Sequence, residues 1–235
     1  MPSKDHSRVF TAHFRGFGSK QLRNIRKTLG GIDRALQASV AELKRCGIKE
    51  SLALDFISWR QETGLQTIFD NLNKCKIQVI FIDDPTYPPL LKEMSDPPEV
   101  IFVRGALPSS GCVSFVGARK YSQYGHICVN LLIPDAVRYG FATVSGLALG
   151  IDGLVHKKTI EAGGKTVAVL GTGVDDPFIY PRNNAWLADR ILETGGAIIS
   201  EFPPGTSARK EHFPMRNRII AGLSRATVVI EASLK

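Results

Sequence analysis

In residues 1–75 apolar positions recur at helical spacing in QLRNIRKTLG, SVAELKRCG and SLALDFISW, which predicts short amphipathic helices. GFGSKQLRNI (16–25) and CGIKESLALDF (46–56) are each a glycine turn feeding such a helix. Helix–hairpin–helix modules are built this way, and their turn amides can hold a backbone phosphate. A plain helical adaptor has the same spacing. Residues 77–108 hold two apolar runs, IQVIFI and VIFVRG, on either side of the proline-rich DDPTYPPLLKEMSDPPE. This predicts a strand, an extended connection and a strand, and it places a domain junction near residue 76. From residue 112 the pattern changes. Strand-like runs VSFVGA (113–118), FATVSG (141–146), TVAVLG (166–171), AIISEF (197–202) and ATVVIEA (226–232) alternate with helical segments. Runs apolar on both faces, separated by helices, predict an α/β arrangement: a mostly parallel sheet with helices on both faces. Pro134 falls inside the helix expected over 122–139 and should kink or break it. No internal repeat or low-complexity tract interrupts the pattern.

The 235 residues suffice for one large or two small domains with a real core. The expected division is 1–75, helical, and 76–235, built on the sheet. No apolar run approaches a membrane span, and MPSKDHSRVF lacks the layout of a signal peptide, so a cytoplasmic protein without membrane association is expected. Cys46, Cys75, Cys112 and Cys128 form no CxxC pair, which argues against zinc or a disulfide framework. The formal charge is +8 and uneven. Residues 1–75 carry 13 Lys and Arg against 7 Asp and Glu, leaving +6, whereas residues 76–235 carry 17 against 15, leaving +2. A polyanion partner and a merely solvated basic surface both fit this balance.

Ligands of such sheets bind at the carboxyl ends of the strands. Three expected strands end in glycine loops there: GARKYSQYG (117–125), SGLALGID (145–152) and GTGVDD (171–176). Glycine admits close backbone approach, and helix N-termini favour anions. There is no P-loop, and no GxGxxG follows the first strand. The second strand ends in Ser145-Gly146 rather than an acidic residue, which disfavours NAD. Arg119 and Lys120 mark the first loop, and Arg209 and Lys210 the fourth. Ile219, Ile220, Ala221 and Leu223 predict a helix whose first turn holds Arg216 and Arg218. Cations there oppose the helix dipole unless phosphates offset them. With Phe213, this set matches single-strand nucleic-acid binding, cations along the backbone and rings on bases. The other reading buries Phe213 and pairs the arginines with Glu201, Glu211 or Glu231. Asp152 and His156, four apart, suit a hydrogen-bonded structural pair, with no third ligand for a metal. Asp175 and Asp176 need only a turn and a cap. No catalytic motif and no cofactor site is identified.

The motifs YPPLL, PPEVIFVRG, FVGARKYSQYG, VSGLALGID with His156, TVAVLGTGVD, YPRNN, SEFPPG and HFPMRNRIIAGLS run in one order over residues 87–232. In this order they resemble the DNA-processing protein A family (DprA, also called Smf). Residues 1–75 are similar to its helical N-terminal domain, of SAM or helix–hairpin–helix type. The resemblance implies an extended Rossmann-like domain that binds single-stranded DNA, protects it during natural transformation (competence) and helps load the recombinase RecA in DNA recombination. It implies a homodimer, no cofactor and no established catalysis. By the same resemblance, Arg119 and Lys210 contact phosphate, with Lys120 beside them. Phe213 stacks on or pockets a base, and Arg216, Asn217 and Arg218 line the groove. Gly117, Ser145 and Gly146 let the backbone come close. Ala118 stands where the family often has Ser or Thr. The family pattern continues past VVIEA with a serine-glycine motif, a helix and a further strand, whereas this sequence stops at Ser233-Leu234-Lys235. The expected sheet therefore lacks its last elements, which in the family carry much of the dimer and RecA surface, and Val228–Glu231 is left poorly covered. The alternative reading is an enzyme, a nucleotide-processing hydrolase of the phosphoribohydrolase kind. Its PGGxGT loop is only echoed in GTGVDD and EFPPGTSARKEH.

Overall fold

The computed structural model describes residues 4–232, so Ser233–Lys235 and the first three residues lie outside the described part. The chain opens with helices α1 (Lys4–Ala12), α2 (Ser19–Leu29), α3 (Val40–Arg45), α4 (Glu50–Glu62) and α5 (Leu65–Lys74). Local chemistry sets their ends. The Ser39 hydroxyl accepts from the Glu42 amide at 3.3 Å, and the Glu42 carboxylate accepts from the Ser39 amide at 2.8 Å, so α3 starts in a reciprocal cap. Phe10, Phe14, Phe17, Phe56 and Trp59 pack ring to ring at the centre of these helices.

The remaining strands and helices are β1 (Ile77–Phe81), α6 (Pro89–Lys92), β2 (Val100–Gly105), β3 (Cys112–Gly117), α7 (Gln123–Arg138), β4 (Ala142–Ser145), α8 (Ile151–Glu161), β5 (Thr166–Val169), α9 (Ala185–Glu193), β6 (Ala197–Ser200), α10 (His212–Gly222) and β7 (Ala226–Glu231). They form one sheet in the order β1-β2-β6-β5-β4-β3-β7. β3 to β7 are mutually parallel, and β1 and β2 join antiparallel at one edge. The architecture is the expected one: α/β, Rossmann-like and mostly parallel, after a helical N-terminal region.

Alternate residues of each strand feed two faces. Val144, Val167, Val169 and Ile199 pack beneath α10 and α6. Phe115 and Ile230 pack beneath α7 and α8. Ala168, Leu170, Ile198 and Phe102 pack under α9, in one continuous core with the N-terminal helices. Charges reinforce that junction. Glu99, fully buried, accepts from Arg23 at 3.3 Å and from Arg26 at 2.7 Å, both on α2.

Pro134 does not break its helix, which runs unbroken from Gln123 to Arg138. A proline removes one ladder bond. Val129 and Ile133, both with no exposed surface, hold α7 on the sheet on the N-terminal side of that gap. β7 lies at the other edge of the sheet. Ile230 is buried there, and Val229 is 59% exposed.

Candidate functional site

Because β3, β4, β5 and β6 are parallel, their following loops share one rim. A cavity of about 410 Å3 opens there between the β3 loop and the N-terminal half of α10. Its wall brings together Gly117, Arg119, Lys210, Phe213, Arg216 and Asn217, with Asp152 at the base. Four other expected residues do not line it: Lys120, Ser145, Gly146 and Arg218.

Arg119 and Lys210 are exposed and make no hydrogen bond or ion pair among the described residues. Lys120 is likewise exposed but stands outside the cavity. Phe213 is half-buried, and its ring meets that of Tyr180 at 5.7 Å between centroids. The start of α10 is fixed beside it. His212 Nδ1 contacts the Gly171 carbonyl at 3.0 Å, and the imidazole stacks on Phe202 at 4.0 Å.

Arg216 and Arg218 are not in the first turn of the helix. α10 begins at His212, so both stand in the second turn, where the dipole penalty has largely fallen away. Their partners are internal. Arg216 is 4% exposed and donates through Nη1 to the carbonyls of Gly146, at 2.6 Å, and Val169. Its Nε donates to Asn217 Oδ1 at 3.0 Å, and its Nη2 lies 3.9 Å from Asp152 Oδ2. Burial pushes the Asp152 carboxyl up, with Arg216 pulling the other way, and burial pushes the Arg216 guanidinium down, with Asp152 opposing. The pair is a desolvated floor that joins α10 to β4, β5 and α8. Arg218 leaves the groove altogether. It donates to Glu201 Oε2 at 2.6 Å and lies 3.5 Å from Asp96. Glu201 also accepts from Ser19 of α2 at 3.0 Å, so Arg218 links α10 to the N-terminal helices.

The small residues of the rim also serve internal contacts. Any Cβ on Gly146 would collide with the Arg216 guanidinium, so that glycine makes room for a side chain. Ser145 is fully buried and donates to the Phe115 carbonyl at 2.7 Å. Gly117 packs against Ile151, whose Cγ1 would stand 2.7 Å from an added Cβ.

The N-terminus of α7 already holds an anion of the chain itself. Glu231, at the end of β7, accepts from the Ser122 amide at 2.9 Å and from the Ser122 hydroxyl at 3.1 Å. Gly125 leaves space for that carboxylate. The Glu231 carbonyl also accepts from the Ala118 amide at 2.8 Å, and the Ala118 carbonyl from the Ile151 amide at 3.1 Å. Arg119 is therefore presented from a loop pinned on both sides.

Asp152 and His156 are not bonded to each other. Asp152 faces Arg216, and His156 Nδ1 meets Thr166 Oγ1 at 2.7 Å. The reason is helix packing: His156 points under the sheet, and its pKa is lowered to about 3, first by burial and then by Arg216. Asp175 holds the Gly205 amide at 2.9 Å, and Asp176 pairs with Arg104, so both acids serve loop contacts. No group of three metal-ligating side chains, and no helix long and apolar enough to cross a membrane, occurs among the described residues. Three roles are absent from the sequence argument: Asp152 as partner of Arg216, Glu231 as helix cap, and Tyr180 beside Phe213. Only Tyr180 carried a signal, as the aromatic of YPRNN.

The sequence matches the profile of DNA recombination-mediator protein A over residues 78–235, more than half of the chain. It is 43% identical over 162 residues to the DNA processing protein DprA of Bacillus subtilis, covering 68% of this chain and 54% of that protein. It is 37% identical over 195 residues to protein Smf of Escherichia coli, covering 82% and 51%. The chain thus spans about half the length of these relatives. The X-ray structure of DprA from Streptococcus pneumoniae superposes with a TM-score of 0.78 at 30% identity, over 98% of this chain and 79% of that one. DNA processing protein A from Helicobacter pylori, whose structure concerns a single-stranded DNA binding mode, superposes with a TM-score of 0.60 at 27% identity, over 68% and 71%. The chain belongs to the DNA recombination-mediator protein A family.

Proposed function

We propose that this chain binds single-stranded DNA in the cavity bounded by Arg119, Lys210, Phe213 and Asn217, without sequence readout and without chemistry on the strand. One observation carries this reading: two exposed cations with no ion pair among the described residues flank a half-buried ring, over a floor whose charge is already matched by Asp152. Unpaired cations beside an aromatic face suit phosphates and a base. The single-stranded DNA mode of the Helicobacter pylori relative supports the same ligand. The biological role we infer is the family's: a cytoplasmic mediator that protects DNA taken up in natural transformation and helps load RecA, acting as a homodimer.

The test is fluorescence anisotropy of labelled oligo-dT, about 20–40 nucleotides long, at two salt concentrations beside the matching duplex. Salt-sensitive binding that favours the single strand is expected, because neutralised phosphates release counterions. Equal affinity for the duplex, or affinity indifferent to salt, would sink the reading. Release of free base from a nucleoside monophosphate would replace it with a hydrolase.

A further inference from the structure

The segment between β5 and α9 crosses the same rim, and Tyr180 stands on it with 48% of its surface exposed. Its hydroxyl has no hydrogen-bond partner among the described residues. Tyr87 shows what a structural tyrosine looks like in this fold: it is 3% exposed and donates to the Pro98 carbonyl at 2.7 Å. A lone exposed ring needs no explanation. Tyr180 is not alone, because it touches Phe213 of the cavity wall, with the two rings inclined at 42°. Its backbone is also held. Ile179 beside it is buried, and Asn184 donates to the Leu147 and Ala148 carbonyls at 2.9 and 3.1 Å. Those bonds tie the segment to the loop that supplies Ala148 to the cavity.

We propose that Tyr180 and Phe213 form a two-ring platform for successive bases of one strand, Phe213 taking the base at the cavity and Tyr180 its neighbour. This rests on the nucleic-acid reading above. Rings inclined at 42° cannot serve two bases stacked on each other, so the strand must splay its bases to use both. A flexible single strand does this readily, whereas a duplex must first unpair. Tyr180 therefore adds to affinity and to the preference for single strands, and it adds no charge.

The experiment compares Tyr180→Ala, Tyr180→Phe, Phe213→Ala and Lys210→Ala on oligo-dT and on an abasic oligomer with the same number of phosphates. Tyr180→Ala is expected to weaken oligo-dT binding by roughly fivefold or more, the lower end of a lost base–aromatic stack, with the salt slope unchanged. Tyr180→Phe should retain wild-type affinity, and the abasic oligomer should bind wild type and Tyr180→Ala equally. Unchanged oligo-dT affinity in Tyr180→Ala overturns the proposal, as does an equal loss on the abasic oligomer or a Tyr180→Phe variant as weak as Tyr180→Ala. If Phe213→Ala and Lys210→Ala weaken binding and Tyr180→Ala does not, only the platform falls. If all three bind like wild type, the nucleic-acid site itself falls.

Discussion

Among the cations near the β-strand ends on this rim, four form two unlike pairs. Arg119 and Lys210 stand in solvent with no hydrogen bond or ion pair among the described residues. Arg216 and Arg218 are held by carbonyls and carboxylates inside the fold. Water access separates the pairs. A guanidinium that is 4% exposed has lost its hydration and needs internal acceptors, so it serves packing. An exposed ammonium keeps its hydration and counterions, and it can exchange both for phosphate. Charge on a rim is therefore no measure of ligand affinity until solvent access is known.

The comparison sharpens most under acid, which acts on the buried region and leaves the exposed cations charged. Burial lowers His13 from 6.5 to about 4 and His156 from 6.5 to about 3. Both are neutral in the folded chain, while the unfolded chain takes up protons below pH 6.5. Their contribution is thus complete above pH 6.5 and is lost as pH falls toward 4 and 3. The expected loss by pH 4 is on the order of 5 kcal/mol, read from urea unfolding at stepped pH. Stability that stays flat between pH 7.5 and 4 would show these histidines to be accessible to protons.

Next in size is Arg216→Met. It removes the cation that faces the buried Asp152 and the donor shared by two carbonyls, and should cost about 3–5 kcal/mol in the same unfolding assay. Lysine should not rescue it, since a single ammonium cannot reproduce the forked donors. A fully stable Arg216→Met variant with lost DNA binding would erase the distinction between the two pairs.

Arg119→Ala and Lys210→Ala should do the opposite. Stability should stay within about 0.5 kcal/mol of wild type, while each lowers the slope of log affinity against log salt by about 0.7 to 1. The smallest effect on DNA is expected from Arg218→Ala. Its salt slope should match wild type, and a loosened Glu201 contact with α2 should appear as faster amide exchange around Ser19. A reduced slope in Arg218→Ala would return that arginine to the groove.

Much of this was legible in the residues. The periodicity changes from helices to strands near residue 76 and to alternating strands and helices from 112, and strands apolar on both faces require a covered parallel sheet. From that geometry alone the glycine loops fall on one rim. The residues predict a later start for α10 because HFPM carries no apolar period, whereas the helix begins at His212, anchored to Gly171 and Phe202. Gly146 reads as a place for a ligand, and only the path of Arg216 reveals its real neighbour. Pro134 reads as a break, and only packing shows why the helix continues.

The sequence by itself determined the family, the element order and the shared rim, because these rest on local pattern and on the handedness of β-α-β connections. Tertiary structure alone decided which rim cations meet solvent, that Glu231 fills the N-terminus of α7, and that Tyr180 comes to lie against Phe213. Each of these joins groups distant in the chain. Their proximity and hydration are set by how α10, β7 and the β5–α9 segment pack, and no local pattern encodes that.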